Sequence, residues 1–142
     1  MIASYRAKML CGSYILQANR ARFNQNKVNP TCPLCKSAPE DLPHFLLSCS
    51  ALDPPRSKFL NKIKSIAYSI GTYLSTDPVT QCKNILNAAN PDSCCACSGR
   101  SKRSRVSSKC KCAALNELIN SLCLTLHNHR SQVLSQLGKD TK

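Results

Sequence analysis

The chain has 142 residues, enough for one domain or one small module with appendages. Its hydrophobic fraction is 42%, yet only 5% is aromatic and Trp is absent, so a thin core that needs a staple is expected. With 20 Lys+Arg against 7 Asp+Glu, the net charge of +13 favours polyanionic partners and leaves few carboxylates for an acid-dependent active site.

Taken in chain order, Ile2, Tyr5, Met9 and Leu10 form a helical stripe over residues 2–11, ended by Gly12 and Ser13. Arg6, Lys8 and Gly12 interrupt any apolar core of a secretory signal there. Tyr14 to Phe23 reads as a short second helix, with Phe23 expected to pack on Leu46 or Leu34, stacking on a base being the alternative. Asn24 to Thr31 is a loop. Cys32-Pro-Leu-Cys35 is a tight turn. Asp41 caps a helix with Pro43 in its first turn, and that helix stops before Pro54.

Asp53-Pro-Pro opens the next helix, whose stripe is Phe59, Ile63, Ile66, Ile70 and Leu74. Asp77-Pro78 caps another, carrying Val79, Cys82, Ile85 and Leu86. Residues 91–112 lack any apolar period and read as a Cys-rich, basic, disordered insert. A long helix over 113–137 closes the chain. Its stripe is Leu115, Leu118, Leu122, Leu126, Val133 and Leu137, and Gly138 is its stop. The predicted fold is mostly α: a small helical domain with a CCHC zinc knuckle and a long C-terminal helix. The knuckle spans 30–52 within a module of residues 1–90, onto which the segment 113–142 packs back.

The stretch Pro30 to Leu52 holds Cys32, Cys35, His44 and Cys49, spaced C-x2-C-x8-H-x4-C. Zinc takes four N or S ligands in a tetrahedron, and C-x2-C supplies two thiolates from one turn. His44 and Cys49 are five apart, about 140° around an ideal helix, so the helix must unwind slightly for both to meet one ion. Four protein ligands leave no place for water, which makes this a structural Zn2+ site. Its contribution to folding is on the order of 10 kcal/mol. A redox C-x-x-C belongs beside a βαβ pattern, which is absent. The 11 cysteines, without a signal peptide, favour a reducing intracellular compartment where clustered thiols bind metal.

"GSYILQANRARFNQ", "PTCPLC" and "HFLLSCSAL", and near the end "LCLTLHNHR", resemble the zinc-binding region that follows the polymerase domain in reverse transcriptases of non-LTR retrotransposons. The similarity covers about residues 4–90 and 113–135. The resemblance implies that Cys32, Cys35, His44 and Cys49 are the metal ligands. It also implies a fragment lacking the polymerase, in a region thought to grip template RNA or target DNA. Two departures stand out: Pro43 precedes the histidine where an acidic or polar residue is usual, and the insert after Ser93 has no counterpart.

Cys94, Cys95, Cys97, Cys110 and Cys112 bracket a basic run. C-x-C is a poor clamp for tetrahedral zinc and no histidine joins it. A flexible insert with oxidisable thiols is therefore the preferred reading, and a second metal site the alternative. Arg100, Lys102, Arg103, Arg105, Lys109 and Lys111 could neutralise phosphates or signal nuclear import. Arg20, Arg22 and Lys27 form a second basic patch near the knuckle. Cys123, His127 and His129 read as a packed cysteine with surface histidines.

No carboxylates gather for two-metal chemistry, and no nucleophile–base pair is visible, so no enzyme is expected. The expected function is a zinc-stabilised module binding RNA or DNA through phosphate contacts, non-catalytic by itself. It would be intracellular and nuclear or shuttling, with a polymerase-bearing protein as a further partner and no membrane. The alternatives are a protein-interaction module or a degraded retroelement remnant.

Overall fold

The computed structural model describes residues 2–25, 27–69, 75–87 and 111–140. These residues are mostly helical, with five α-helices: α1 (Ile2–Leu10), α2 (Gln17–Phe23), α3 (Asp53–Ser69), α4 (Pro78–Asn87) and α5 (Lys111–Asp140). Among the described residues there is no strand, only an isolated antiparallel bridge between Thr31 and Pro39.

The long helix α5 is the spine, with α1 and α3 packed against it. Its Leu115, Ile119, Leu122 and Leu126 are fully buried, stepping by 3 or 4 down one face, with Cys123 fully buried beside them. Burying a Leu or Ile is worth about 1.5–3 kcal/mol, so this stripe organises the core. Helix α1 adds Met9, α3 adds Leu60, Ile63 and Ala67, and α4 adds Cys82, Ile85 and Leu86. Arg6 ties three helices together. Its Nε donates to the Leu86 carbonyl at the end of α4 (2.7 Å), and its Nη1 to the Asn116 side chain on α5 (2.5 Å). A cation on a terminal carbonyl satisfies a group the helix cannot.

The structure departs from the expected elements in several places. Gly12 does end α1 as expected, with φ +71°, the left-handed conformation glycine adopts without strain; the departures lie further along the chain. The second helix begins only at Gln17, because Leu16 is extended (φ −110°, ψ 157°) and is buried along with Tyr14. The buried face of α3 is rotated from the expected stripe. It runs Arg56, Leu60, Ile63 and Ala67, with Phe59 and Ile66 half-buried at its flank. Ile70 and Leu74 lie outside the described residues. Val79 is 51% exposed, and the Asp77 side chain caps α4 by accepting from the Thr80 amide (2.8 Å). Gly138 does not stop α5, which runs on to Asp140; one glycine costs a helix only about 1 kcal/mol. The insert expected over 91–112 falls outside the described residues as far as position 110, whereas Lys111 and Cys112 open α5.

Candidate metal centre

The knuckle loop is built by backbone geometry. The Cys32 amide donates to the Ala38 carbonyl (2.8 Å), and the Lys36 amide to the Cys32 carbonyl (2.9 Å). Lys36 has φ +58°, the left-handed step that folds the chain back after Cys35. The Glu40 amide then closes onto the Pro30 carbonyl (2.9 Å). The result aims both thiols of the C-x2-C pair the same way.

The second pair is set by an unusual turn. The Asp41 side chain accepts from the His44 amide (2.8 Å), capping the segment as its position suggests. His44–Ser48 then forms a π-helical turn, in which the Cys49 amide donates to the His44 carbonyl at 2.7 Å. An i→i+5 bond brings residues five apart closer to one face than an α-helix would. It resolves the angular mismatch in the H-x4-C spacing.

Cys32, Cys35, His44 and Cys49 accordingly converge, with one ligand atom from each and all four within 4.8 Å of one another; the group can hold one metal ion. Ligands at about 2.0–2.3 Å around a tetrahedral ion would lie about 3.6–3.8 Å apart along each edge. The Cys32 and Cys49 sulfurs are 3.8 Å apart, and the Cys35 sulfur is 3.2 Å from His44 Nε2. Two of the edges are thus at or near tetrahedral length, and the donor set, three soft sulfurs and one imidazole nitrogen, suits zinc. Among the described residues it is the only such group.

The thiols are not alike. Burial pushes Cys49 up to about 12 and raises Cys32 as well. For Cys35 burial acts in the same direction, but hydrogen bonds from Ser37, Cys32 and His44 outweigh it and bring the thiol down to about 6. A cation that turns buried thiols into thiolates offsets the cost of charging them there.

Two buried charged groups brace this centre, and sequence reasoning overlooked both. Arg56, 2% exposed, reaches from α3 to the end of the π-turn. It donates to the Leu47 carbonyl (2.6 Å), to the Cys49 carbonyl and to the Asp53 carboxylate (2.9 Å). It thereby satisfies carbonyls that the irregular turn leaves unpaired. Glu40, fully buried at the end of the knuckle loop, accepts from Arg130 Nε (2.6 Å), Arg130 Nη2 (2.8 Å) and the Gln17 amide (2.9 Å). This two-pronged ion pair joins the knuckle to α5 and to the start of α2.

The remaining candidates divide. Arg20, Arg22 and Lys27 are exposed, on α2 and the loop after it. Lys111 is exposed at the first residue of α5, while Arg100, Lys102, Arg103, Arg105 and Lys109 lie outside the described residues. So do Cys94, Cys95, Cys97 and Cys110 of the second cysteine cluster. Phe23 does not pack on Leu46 or Leu34. It is 77% exposed, because α2 buries Ala21 and turns its last residue outward. Cys123 is buried in the core, as expected of a packed cysteine. His127 stacks on Tyr5 (centroids 3.9 Å apart) and pairs through Nδ1 with the Tyr14 hydroxyl (2.9 Å), so it is half-buried rather than a free surface ring. No helix among the described residues is long and apolar enough to cross a membrane. No family model matches the chain, and no curated protein or solved structure does either.

Proposed function

We propose that the chain is a zinc-stabilised, non-catalytic nucleic-acid-binding module. Cys32, Cys35, His44 and Cys49 hold one Zn2+. The ion joins the knuckle to a core that Cys32 and Cys49 already share with Phe45, Leu46 and Leu52. The observation that carries the reading is the convergence of three thiols and one imidazole within 4.8 Å of one another, in a strongly basic chain. Arg20, Arg22 and Lys27 all stand exposed on α2 and the loop after it, in a chain of net charge +13. Each phosphate such a surface neutralises adds to affinity and to its salt dependence. A nuclear or shuttling location, binding to a polymerase-bearing protein and descent from the region downstream of a retrotransposon reverse transcriptase belong to the same proposal. They are supported by the basic run over 100–111 and by the quoted motifs.

The test is a salt-dependent binding series on the zinc-loaded protein, with Arg20, Arg22 and Lys27 changed to Gln singly and together, and the 100–111 run neutralised separately. Each phosphate contact removed should flatten the log K against log salt slope by about 0.7–0.9. Affinity and slope unchanged by all of these substitutions would overturn the nucleic-acid reading.

A further inference from the structure

Two grooves adjoin next to α2. One, of about 440 Å³, lies between α1, the start of α2 and α5; it is lined by Tyr5, Lys8, Arg20 and His127 among others. The other, of about 270 Å³, leads away along α2 to Phe23. Both include Ser13, Tyr14, Ile15 and Arg20, so they form one continuous path.

Among the described residues, no carboxylate lines either groove. The nearby acid, Glu40, is fully buried, and both its oxygens are already bonded to Arg130 and Gln17. Arg130 is neutralised by that pair, while Lys8 and Arg20 remain exposed cations at the rim. The apolar content is equally unusual. In a chain with three Phe and no Trp, Phe23 is 77% exposed and Ile15 67% exposed at the same groove. The Tyr5–His127 stack supplies a second aromatic surface at the far end.

A duplex offers its phosphates to such a surface but keeps its bases stacked on one another. Only an unpaired strand can place a base against an outward ring while its backbone meets fixed cations. We propose that this continuous groove is a binding path for single-stranded polynucleotide, with Phe23 stacking a base and Lys8 and Arg20 holding the backbone. The inference rests on the nucleic-acid reading above and adds to it the strandedness of the ligand and the residue that selects it.

The test uses the zinc-loaded full chain and a labelled single strand of about 12 nucleotides, within the usual site size for such grooves, as RNA and as DNA, beside a duplex of the same sequence. Binding is read by fluorescence anisotropy over a series of salt concentrations. Wild type should prefer the single strand. Phe23→Ala should weaken single-strand binding by about 5- to 100-fold while leaving duplex affinity and the salt slope unchanged. Phe23→Tyr, which keeps the ring, should retain the preference. Because Phe23 is exposed, both variants should keep the wild-type circular dichroism. Lys8→Ala should instead flatten the single-strand salt slope by about 0.7. Equal binding of single strand and duplex, with Phe23→Ala changing neither, would overturn this inference and leave the nucleic-acid reading standing. No binding to either form would overturn both.

Discussion

The buried ion pair between Glu40 and Arg130 lends itself to a quantitative test. The carboxylate is fully buried and the Arg130 side chain is 13% exposed, so water screens neither well. With charge centres about 4 Å apart and an effective dielectric of about 20, the gross attraction is about 4 kcal/mol, before the cost of burying both groups. Arg130→Met keeps the length of the side chain and removes the charge. It leaves the Glu40 carboxyl group in the interior with one remaining donor, the Gln17 amide. Breaking one side of a buried pair costs about 3–5 kcal/mol. Glu40→Gln together with Arg130→Met removes both charges and should recover at least about half of that loss. Urea unfolding followed by circular dichroism, in excess zinc, gives all three stabilities. A loss below about 1 kcal/mol for Arg130→Met, or a double variant no better than the single, would refute the claim that this pair fastens α5 to the knuckle.

Two further outcomes follow from the same structure. Arg56→Lys can no longer bridge the Leu47 and Cys49 carbonyls and the Asp53 carboxylate together, so zinc affinity by competition with a chromophoric chelator should fall about 10- to 100-fold; an unchanged affinity would mean that Arg56 does not hold the ligand-bearing turn. Burial first, then the charges of Arg130 and Lys8, hold the His127 ring below its ordinary 6.5. The unfolded chain therefore binds the extra proton more readily. His127 should cost the fold stability as pH falls below about 6.5 and nothing well above it. An NMR titration of that ring should give a midpoint below that of a free imidazole, and a midpoint at or above it would contradict the stacked, half-buried placement.

Much of this architecture was legible in the sequence because apolar period and capping residues agree. Asp41 and Asp77 cap where their positions suggest, and the α5 stripe keeps Leu115, Leu122 and Leu126, with Ile119 buried in place of Leu118 and with Val133 and Leu137 only half-buried. The four side chains that converge were legible from spacing alone. What spacing could not give was the π-turn. That turn brings His44 and Cys49 to one side, where both can face a single ion, and the apolar period and caps do not encode it.

The two braces of the metal centre, Arg56 and the Glu40–Arg130 pair, were missed for a different reason. Arg56 shares the buried face of α3 with Leu60, Ile63 and Ala67, and Arg130 follows Leu122 and Leu126 at four-residue steps. A charge that continues an apolar stripe signals a buried partner, and that signal was present at both positions. Phe23 erred in the opposite direction. Scarcity of aromatic residues argued for burial, but the short helix α2 has one buried position, Ala21, and Phe23 lies off that face.

The central claim is a single zinc ion held by three thiolates and one imidazole, and zinc X-ray absorption on the purified full chain tests it most directly. The account predicts one equivalent of metal, with three sulfurs at about 2.3 Å and one nitrogen at about 2.0–2.1 Å, the nitrogen lost in His44→Ala. Protein that is fully folded without metal, or a first shell of four sulfurs or of oxygen and nitrogen alone, would contradict it.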